Sequence, residues 1–208
     1  MTTIEASSEI RLAVLGDWTP PQLADVLARQ RAEEPETPAV LSGPTTTDPT
    51  KVAAGADVDF ALSAAALQWE GWVCEPLWHD TLAVAVAKRS HLLAYREVPH
   101  QQVLQQPVIC SQSTAGQPWR TTVQHVFENA LQDRENTVDT FDVAMTLVAA
   151  GYGIAIAPTG RLTSYLCKGI ALRALAGAPA IVVTYLLHRD AALSGAQARF
   201  AQRARLQS

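Results

Sequence analysis

Short runs of apolar residues alternate along the chain with stretches in which apolar residues recur every third or fourth position. Runs of the first kind are typical of buried strands, and the second pattern is typical of helices with one buried face. Strands separated by single helices indicate parallel β-structure with crossover helices, so the predicted fold class is α/β. The predicted strands are residues 10–16, 37–43, 59–62, 81–87, 108–110, 137–138, 154–157 and 181–187.

Hydroxyl residues mark the predicted starts of helices. Thr19 precedes Pro20, and residues 45–49 repeat the same order of hydroxyl residues before a proline. Because a threonine side chain accepts a hydrogen bond from the first helical turn, Thr19 and Thr140 are the predicted N-caps of two helices. Gly151 is the predicted end of the second helix, since glycine readily adopts the left-handed conformation that ends helices.

Two further helices are predicted at residues 118–131 and 194–206. The first carries Trp119 inward, and the second has Phe200 on its apolar side and three arginines facing solvent. These arginines are Arg199, Arg203 and Arg205. Arg120, just inside the first helix, is unfavourably placed in the field of the helix dipole. Either an anion-binding role or a solvent-facing side chain accounts for it.

Composition and charge narrow the classes of function. The 208 residues are 48% hydrophobic and 17% charged, which is enough apolar material for one domain or two small ones. The formal net charge is −4, and neither a basic run nor a helix-turn-helix signature occurs. Because a surface that binds duplex DNA needs clustered lysine and arginine, this chain is not expected to bind DNA by itself.

The three cysteines, Cys74, Cys110 and Cys167, form no pair or cluster with the spacing of zinc ligands. The histidines are equally scattered, so neither a metal nor another cofactor is expected. The N-terminal residues lack the features of a secretion signal, and no stretch is long and apolar enough to span a membrane. These features favour a cytoplasmic protein with reduced thiols. Cys110, at the end of a predicted strand, is interpreted either as a redox-sensing thiol or as a small buried apolar side chain.

Three stretches carry recognisable motifs. Residues 76–94 (PLWHDTLAVAVAKRSHLLA) combine a proline-leucine start, an acidic residue, a hydrophobic strand and a turn that begins with histidine. Residues 140–158 (TFDVAMTLVAAGYGIAIAP) join a helix to a strand through two glycines, and residues 57–62 (DVDFAL) open another strand. In this order and spacing they resemble the regulatory domain of LysR-type transcription regulators, and the likeness spans residues 10–200. Leu92 departs from the family pattern, which has proline there.

The resemblance implies a type-2 periplasmic-binding-protein fold, with two lobes joined by two hinge crossover strands. Residues 10–86 and 183–208 would form the first lobe, and residues 87–182 would be inserted as the second. The family's winged helix-turn-helix head is absent, so DNA would be bound only through a head domain missing from this chain. The resemblance also implies a homodimer or higher homo-oligomer, with contacts from the helix at residues 21–31 and the far edge of the partner's second lobe.

Hydroxyl-rich segments at the predicted ends of strands and starts of helices provide the candidate ligand-binding groups. Ligands of open α/β sheets gather where strand C-termini meet helix N-termini, and helix N-termini attract anions. Four such hydroxyl-rich segments occur, at residues 16–19, 45–47, 111–114 and 137–140. In the resembling family all four face the cleft between the lobes, which implies a small polar or anionic effector. The candidate effector-binding residues are Asp17, Trp18, Thr19, Thr46, Ser111, Ser113 and Thr140.

The candidate residues also have purely structural interpretations. Thr19 and Thr140 can cap helices without any ligand, a role that is compatible with binding. Trp18 can wall the cleft or fill a gap between strand and helix. Asp17 can be a turn residue, and its charge would oppose a carboxylate effector nearby.

The sequence therefore predicts an effector-sensing domain that couples ligand binding to the arrangement of subunits. Two alternatives share the fold: a stand-alone small-molecule-binding protein, and an enzyme of the prephenate dehydratase type. The missing export signal disfavours the first. The candidate hydroxyls have no neighbouring histidine or paired carboxylate, and neither a nucleophile-elbow motif nor a phosphate-binding loop occurs. No catalytic residue is therefore predicted.

Overall fold

The structure is a computed structural model, and it describes residues 9–16, 18–42, 58–112, 118–166 and 169–207. No helix in these ranges is long and apolar enough to cross a membrane. The strands described are β1 (Ile10–Leu15), β2 (Ala39–Ser42), β3 (Phe60–Ser63), β4 (Trp72–Ala87), β5 (Glu97–Val98), β6 (Val108–Ser111), β7 (Glu135–Val138), β8 (Ala155–Pro158), β9 (Ile170–Leu175) and β10 (Ile181–Arg189). The α-helices described are α1 (Gln22–Glu33), α2 (His100–Val103), α3 (Pro118–Val126), α4 (Phe141–Ala150), α5 (Thr159–Thr163) and α6 (Gly195–Arg205).

Two predicted boundaries are wrong. β4 begins at Trp72, well before the predicted start at residue 81, because its first half is mostly half-buried and needs no continuous apolar run. The helix predicted at residues 118–131 ends at Val126. Glu128 and Asn129 have φ values of 50° and 63°. These left-handed conformations cannot continue a right-handed helix.

The start of α1 also differs from the prediction. Pro21 occupies the N-cap position with helical backbone angles, and no side chain caps the helix. The backbone carbonyls of Pro20 and Pro21 accept hydrogen bonds from the N–H groups of Leu23 and Ala24. Thr19 is exposed and is not the N-cap. The proline pair sets the start because its fixed φ suits a first helical turn and it has no N–H to satisfy.

The chain divides into two compact units. Unit 1 consists of residues 1–79 and 183–208, and unit 2 consists of residues 80–182. β4 and β10 supply residues to both units, since each strand crosses a boundary. The division from sequence puts the first boundary between residues 86 and 87, within the same strand β4.

In unit 1, β1 lies between β2 and β3 with parallel pairing on both sides, and β10 pairs antiparallel with β3. The rings of Phe60 on β3 and Phe200 on α6 pack with centroids 5.2 Å apart. Trp78 of β4 is buried as well, and its indole Nε1 donates to the carbonyl oxygen of Ala204 at 3.0 Å. Apolar contact and a buried hydrogen bond together hold α6 in place.

Arg203 on α6 is buried against α1, so the prediction that it faces solvent is wrong. The residue is 7% exposed. Its guanidinium donates to Glu33 at 2.7 Å, to Gln30 at 2.6 Å and to Glu34 at 2.7 Å. A buried cation is tolerated when it is paired and hydrogen-bonded, and α1 supplies those acceptors. The other two arginines predicted to face solvent are exposed.

In unit 2, β4 pairs antiparallel with β8 and β9, and β5 pairs in parallel with β9. β6 and β7 form a separate two-stranded parallel sheet. α4 buries one face, as its apolar spacing predicts. The buried residues of that face are Phe141, Ala144, Met145 and Val148.

Two glycines shape the turn from α4 into β8. Gly151 has a φ of 86° and ends α4, as predicted. A Cβ atom at Gly153 would lie 2.4 Å from the carbonyl oxygen of Pro107, so a larger residue requires the backbone to move. The Arg89 guanidinium donates to the carbonyl of Ala150 and thereby satisfies one acceptor at the end of α4.

Candidate functional site

The parallel strands of unit 2 end at a common edge. Val108 pairs with Glu135 of β7 and also with Ile154, just before β8, so β6 is the middle strand. Ser111, the last residue of β6, lies beside Val138, the last residue of β7. Because parallel strands run in the same direction, the loops and helix N-termini that follow them collect at one edge. This edge is named the unit 2 edge.

The unit 2 edge brings together two of the predicted site residues, Ser111 and Thr140. Ser111 is 1% exposed, whereas Thr140 is exposed. The Thr140 hydroxyl accepts a hydrogen bond from the N–H of Val143 at 3.3 Å, which confirms the predicted N-cap of α4. Other N–H groups in the first turn have no partner within the helix, and they carry a partial positive charge. An anion can therefore bind at a helix end that is already capped.

Trp18 and Thr19 lie at a different edge, in unit 1. They follow β1, whose last residue Leu15 pairs in parallel with Ser63, the last residue of β3. Trp18 is half-buried and Thr19 is exposed. Ser63 is 4% exposed, and its hydroxyl accepts a hydrogen bond from the backbone two residues later at 3.0 Å. Ser63 was not predicted from the sequence, although it directly follows a predicted strand and so carries the same signal as Ser111.

Three further candidates, Asp17, Thr46 and Ser113, lie outside the described residues. The helix start predicted at residues 45–49 and Cys167 also lie outside them. The effector-binding roles of all seven candidates, and the shared cleft that the resemblance implies, stay predictions.

Arg120, at the start of α3, is 7% exposed, so the solvent-facing interpretation is wrong. Its Nη2 donates to the Glu135 carboxylate at 2.5 Å, and its Nη1 donates to the Cys110 sulfur at 3.3 Å. The carboxylate compensates the buried charge. The position of Arg120 is therefore explained within unit 2, without an external anion.

The surroundings of Cys110 disfavour thiolate chemistry. Burial raises the pKa of the Cys110 thiol to about 11, and the nearby guanidinium of Arg120 offsets only part of that rise. At neutral pH the thiol is therefore protonated, whereas the thiolate is the reactive form. This supports the interpretation of Cys110 as a small buried side chain whose sulfur is a weak acceptor. Cys74 and Cys110 are both free thiols.

Trp119, the second residue of α3, carries a hydrogen-bond donor without a partner. The residue is 2% exposed, as its predicted inward position requires. Among the described residues, its indole Nε1 is the only buried side-chain nitrogen or oxygen that has no hydrogen-bond partner. Burying such a donor costs about 1–3 kcal/mol, so groups of this kind are rare and require an explanation.

The groups at the two edges are suited to holding a polar ligand. Within the described ranges, no group of three or more histidine, cysteine or acidic side chains is arranged to hold a metal ion. What the edges provide is hydroxyls and the N–H groups of helix starts, which form hydrogen bonds without transferring protons at neutral pH.

Comparisons with known proteins agree with this geometry. A sequence profile of the LysR substrate binding domain matches residues 4–207. The effector-binding domain of BenM, solved with its effector benzoate, is 20% identical with a TM-score of 0.83, over 95% of this chain and 90% of that chain. Reduced OxyR from N. meningitidis is 21% identical with a TM-score of 0.78, over 96% of this chain and 95% of that one.

Full-length CbnR in complex with its target DNA is 17% identical with a TM-score of 0.79, over 96% of this chain and 70% of that chain. No curated protein sequence matches the chain significantly. At these identities the structural similarities establish the fold, and they confirm the predicted α/β fold of periplasmic-binding-protein type.

Proposed function

Because the chain belongs to the LysR substrate-binding domain family, we propose that it binds a small polar effector and couples that binding to the subunit arrangement of a transcription regulator. The observation that carries the proposal is the family match over residues 4–207. Two solved relatives support it, since the BenM domain was solved with its effector benzoate and CbnR with its target DNA. DNA would be contacted by a separate domain, because the net charge of this chain is −4.

The proposed effector contacts begin at the unit 2 edge. Ser111 and Thr140 supply hydroxyl groups there, and the first turn of α4 supplies N–H groups that favour a carboxylate or another anion. In unit 1, Trp18 is half-buried and would offer an aromatic ring, and the next residue, Thr19, is exposed and would offer a hydroxyl. The proposed set also includes Asp17, Thr46 and Ser113.

In this proposal the chain acts by binding and catalyses nothing. The family consists of regulatory domains, and the two predicted site residues described at the unit 2 edge are a threonine that caps a helix and a buried serine. A ligand shifts an equilibrium between two arrangements only by its difference in affinity for them, and a hundredfold difference corresponds to about 2.7 kcal/mol. We propose a cytoplasmic location, since a regulator of transcription acts where its DNA is.

A thermal-shift screen tests the proposal. The probes are benzoate, succinate and glutamate, with benzamide and succinamide as uncharged counterparts. A ligand at about 100 times its Kd adds about 2.7 kcal/mol of stability and raises Tm by several degrees. We expect at least one carboxylate to raise Tm and its amide to have a smaller effect.

Variants locate the site. We expect the ligand-induced rise in Tm to shrink in Ser111→Ala and Thr140→Ala. Thr146→Ala is the matched control, because Thr146 is an exposed threonine on the same helix α4. A folded chain whose Tm responds to none of the probes contradicts the proposal, and an equal loss in the control contradicts the location.

A further inference from the structure

Two buried tryptophans of this chain differ in a way that points to a ligand. Trp78 and Trp119 are each 2% exposed. The Trp78 indole donates to the carbonyl of Ala204, whereas the Trp119 indole has no partner. A phenylalanine at residue 119 would fill most of the same space without an unsatisfied N–H. The donor of Trp119 is therefore a cost to the unliganded fold that packing alone does not require.

The position of Trp119 connects this donor to the unit 2 edge. Trp119 is the second residue of α3, the helix that follows Ser111 at the end of β6. Helical side chains lean towards the N-terminus of their helix, so the indole is directed to the end of α3 that starts from this edge. α3 also contacts β8, the third strand at the edge. The unsatisfied donor and the N-cap at Thr140 thus belong to the same end of the parallel strands.

The surroundings favour a carboxylate as the missing partner. α3 and α4 are the helices described after β6 and β7, and each helix start carries a partial positive charge. An amide carbonyl can also accept from this N–H, but the charge of a carboxylate makes the hydrogen bond stronger and is favoured by the helix starts. Asp139 and Asp142 are the acidic residues next to Thr140, and both are exposed, so water screens their repulsion.

We propose that Trp119 Nε1 donates a hydrogen bond to a carboxylate oxygen of the effector and thereby selects carboxylates over their neutral amides. This inference rests on the proposed function and adds a specificity-determining residue and a ligand class to it. The ligand supplies the acceptor that the fold lacks, so part of the binding energy comes from relieving an unsatisfied donor.

Calorimetric titration of Trp119→Phe and Trp78→Phe tests this contact, using whichever of benzoate, succinate and glutamate gives the largest rise in Tm with the parent chain. We expect Trp119→Phe to weaken the Kd about tenfold or more, as loss of a hydrogen bond to a charged group does. Trp78→Phe is the control, and its Kd should stay within about twofold of the parent value, because its indole already has a partner. The preference of the parent chain for the carboxylate over its amide should also shrink in Trp119→Phe alone.

The indole N–H resonance of Trp119 gives a second readout that does not depend on how well a variant folds. In the ¹⁵N-labelled parent chain we expect this resonance to move downfield when the carboxylate is added, because a hydrogen bond forms. A resonance that is already in the hydrogen-bonded range and does not respond overturns the inference, since a buried water molecule would then be the partner.

The outcomes separate this inference from the proposed function. If the parent chain binds a probe and Trp119→Phe binds it equally well, the contact is refuted and the sensing function stands. If the folded parent chain binds none of the probes, the sensing function and the contact that rests on it are both overturned.

Discussion

The two units differ in how their buried hydrogen-bond donors are paired. In unit 1, Trp78 donates to the backbone of α6, and Arg203 donates to two side chains of α1 and to that of Glu34, which follows it. In unit 2, Trp119 lacks a partner, and Arg120 shares its donors between a carboxylate and a thiol, a weaker acceptor. Unit 1 therefore uses these donors to hold helices in place, whereas unit 2 keeps a donor unused near the edge where the effector is proposed to bind.

The largest expected effect comes from the buried arginine of unit 1. Arg203→Met should lower the free energy of unfolding by about 2–3 kcal/mol, because three charge-assisted hydrogen bonds are lost, including the buried one to Gln30. Glu33 and Glu34 keep Arg29 and Arg199 as partners. Arg120→Met should cost less, since its guanidinium makes two side-chain hydrogen bonds instead of three and one of them is to a thiol, a weak acceptor. Exposed Arg199→Met is the control and should cost the least of the three, since water screens its ion pair. Urea unfolding measures all three, and an Arg203→Met chain as stable as the control would refute the contrast.

The second prediction compares the stabilities of the Trp78→Phe and Trp119→Phe chains in the absence of ligand. Both replacements by phenylalanine remove a similar volume, but Trp78→Phe loses a buried hydrogen bond, whereas Trp119→Phe removes an unsatisfied donor. The Ala204 carbonyl keeps the backbone N–H donors of Leu206 and Gln207. We therefore expect Trp78→Phe to be about 1–3 kcal/mol less stable than Trp119→Phe. Equal stabilities in urea unfolding would mean that the Trp119 donor is satisfied in solution.

Acid should weaken unit 1 through Glu34. Hydrogen bonds from Arg199 and Arg203 lower the pKa of Glu34 from its ordinary value of 4.5 to about 2. Because the folded-state pKa lies below the unfolded one, this stabilisation is complete above about pH 4.5 and is lost as the pH falls towards 2. In unfolding experiments across that range, the parent chain should lose more stability than Glu34→Gln. Parallel pH profiles of the two chains would contradict this assignment.

The smallest expected effect is the difference in stability between alanine variants of two threonines that the sequence predicts to be N-caps. Thr140→Ala should destabilise the chain by about 1 kcal/mol, because the N–H of Val143 loses its acceptor. Thr19→Ala should change stability by less than about 0.5 kcal/mol, since Thr19 caps no helix. Thermal unfolding distinguishes them, and equal losses would indicate that Thr19 has another structural role.

Features that depend on neighbouring residues were predicted well. Eight of the ten described strands, the cap at Thr140 and the helix end at Gly151 follow from apolar spacing, a hydroxyl before a helical turn and a residue without Cβ. β5 and β9 were not predicted. The family resemblance placed Ser111 and Thr140 in one lobe, and the parallel direction of β6 and β7 accounts for the edge that they share. The start of α1 was missed because two candidate signals lie side by side, and the proline pair outweighed the hydroxyl of Thr19.

The sequence by itself determined the α/β fold, the family and one edge of the candidate site, because these depend on periodicity and on hydrogen bonds within a few residues. Only the tertiary structure decided which polar groups are buried and satisfied. Arg203 and Gln30 are 173 residues apart, and Trp78 and Ala204 are 126 apart. Their pairing depends on how whole elements dock, since a buried donor takes whichever acceptor the docked neighbour presents. For the same reason the unpaired Nε1 of Trp119 becomes visible only in the folded chain.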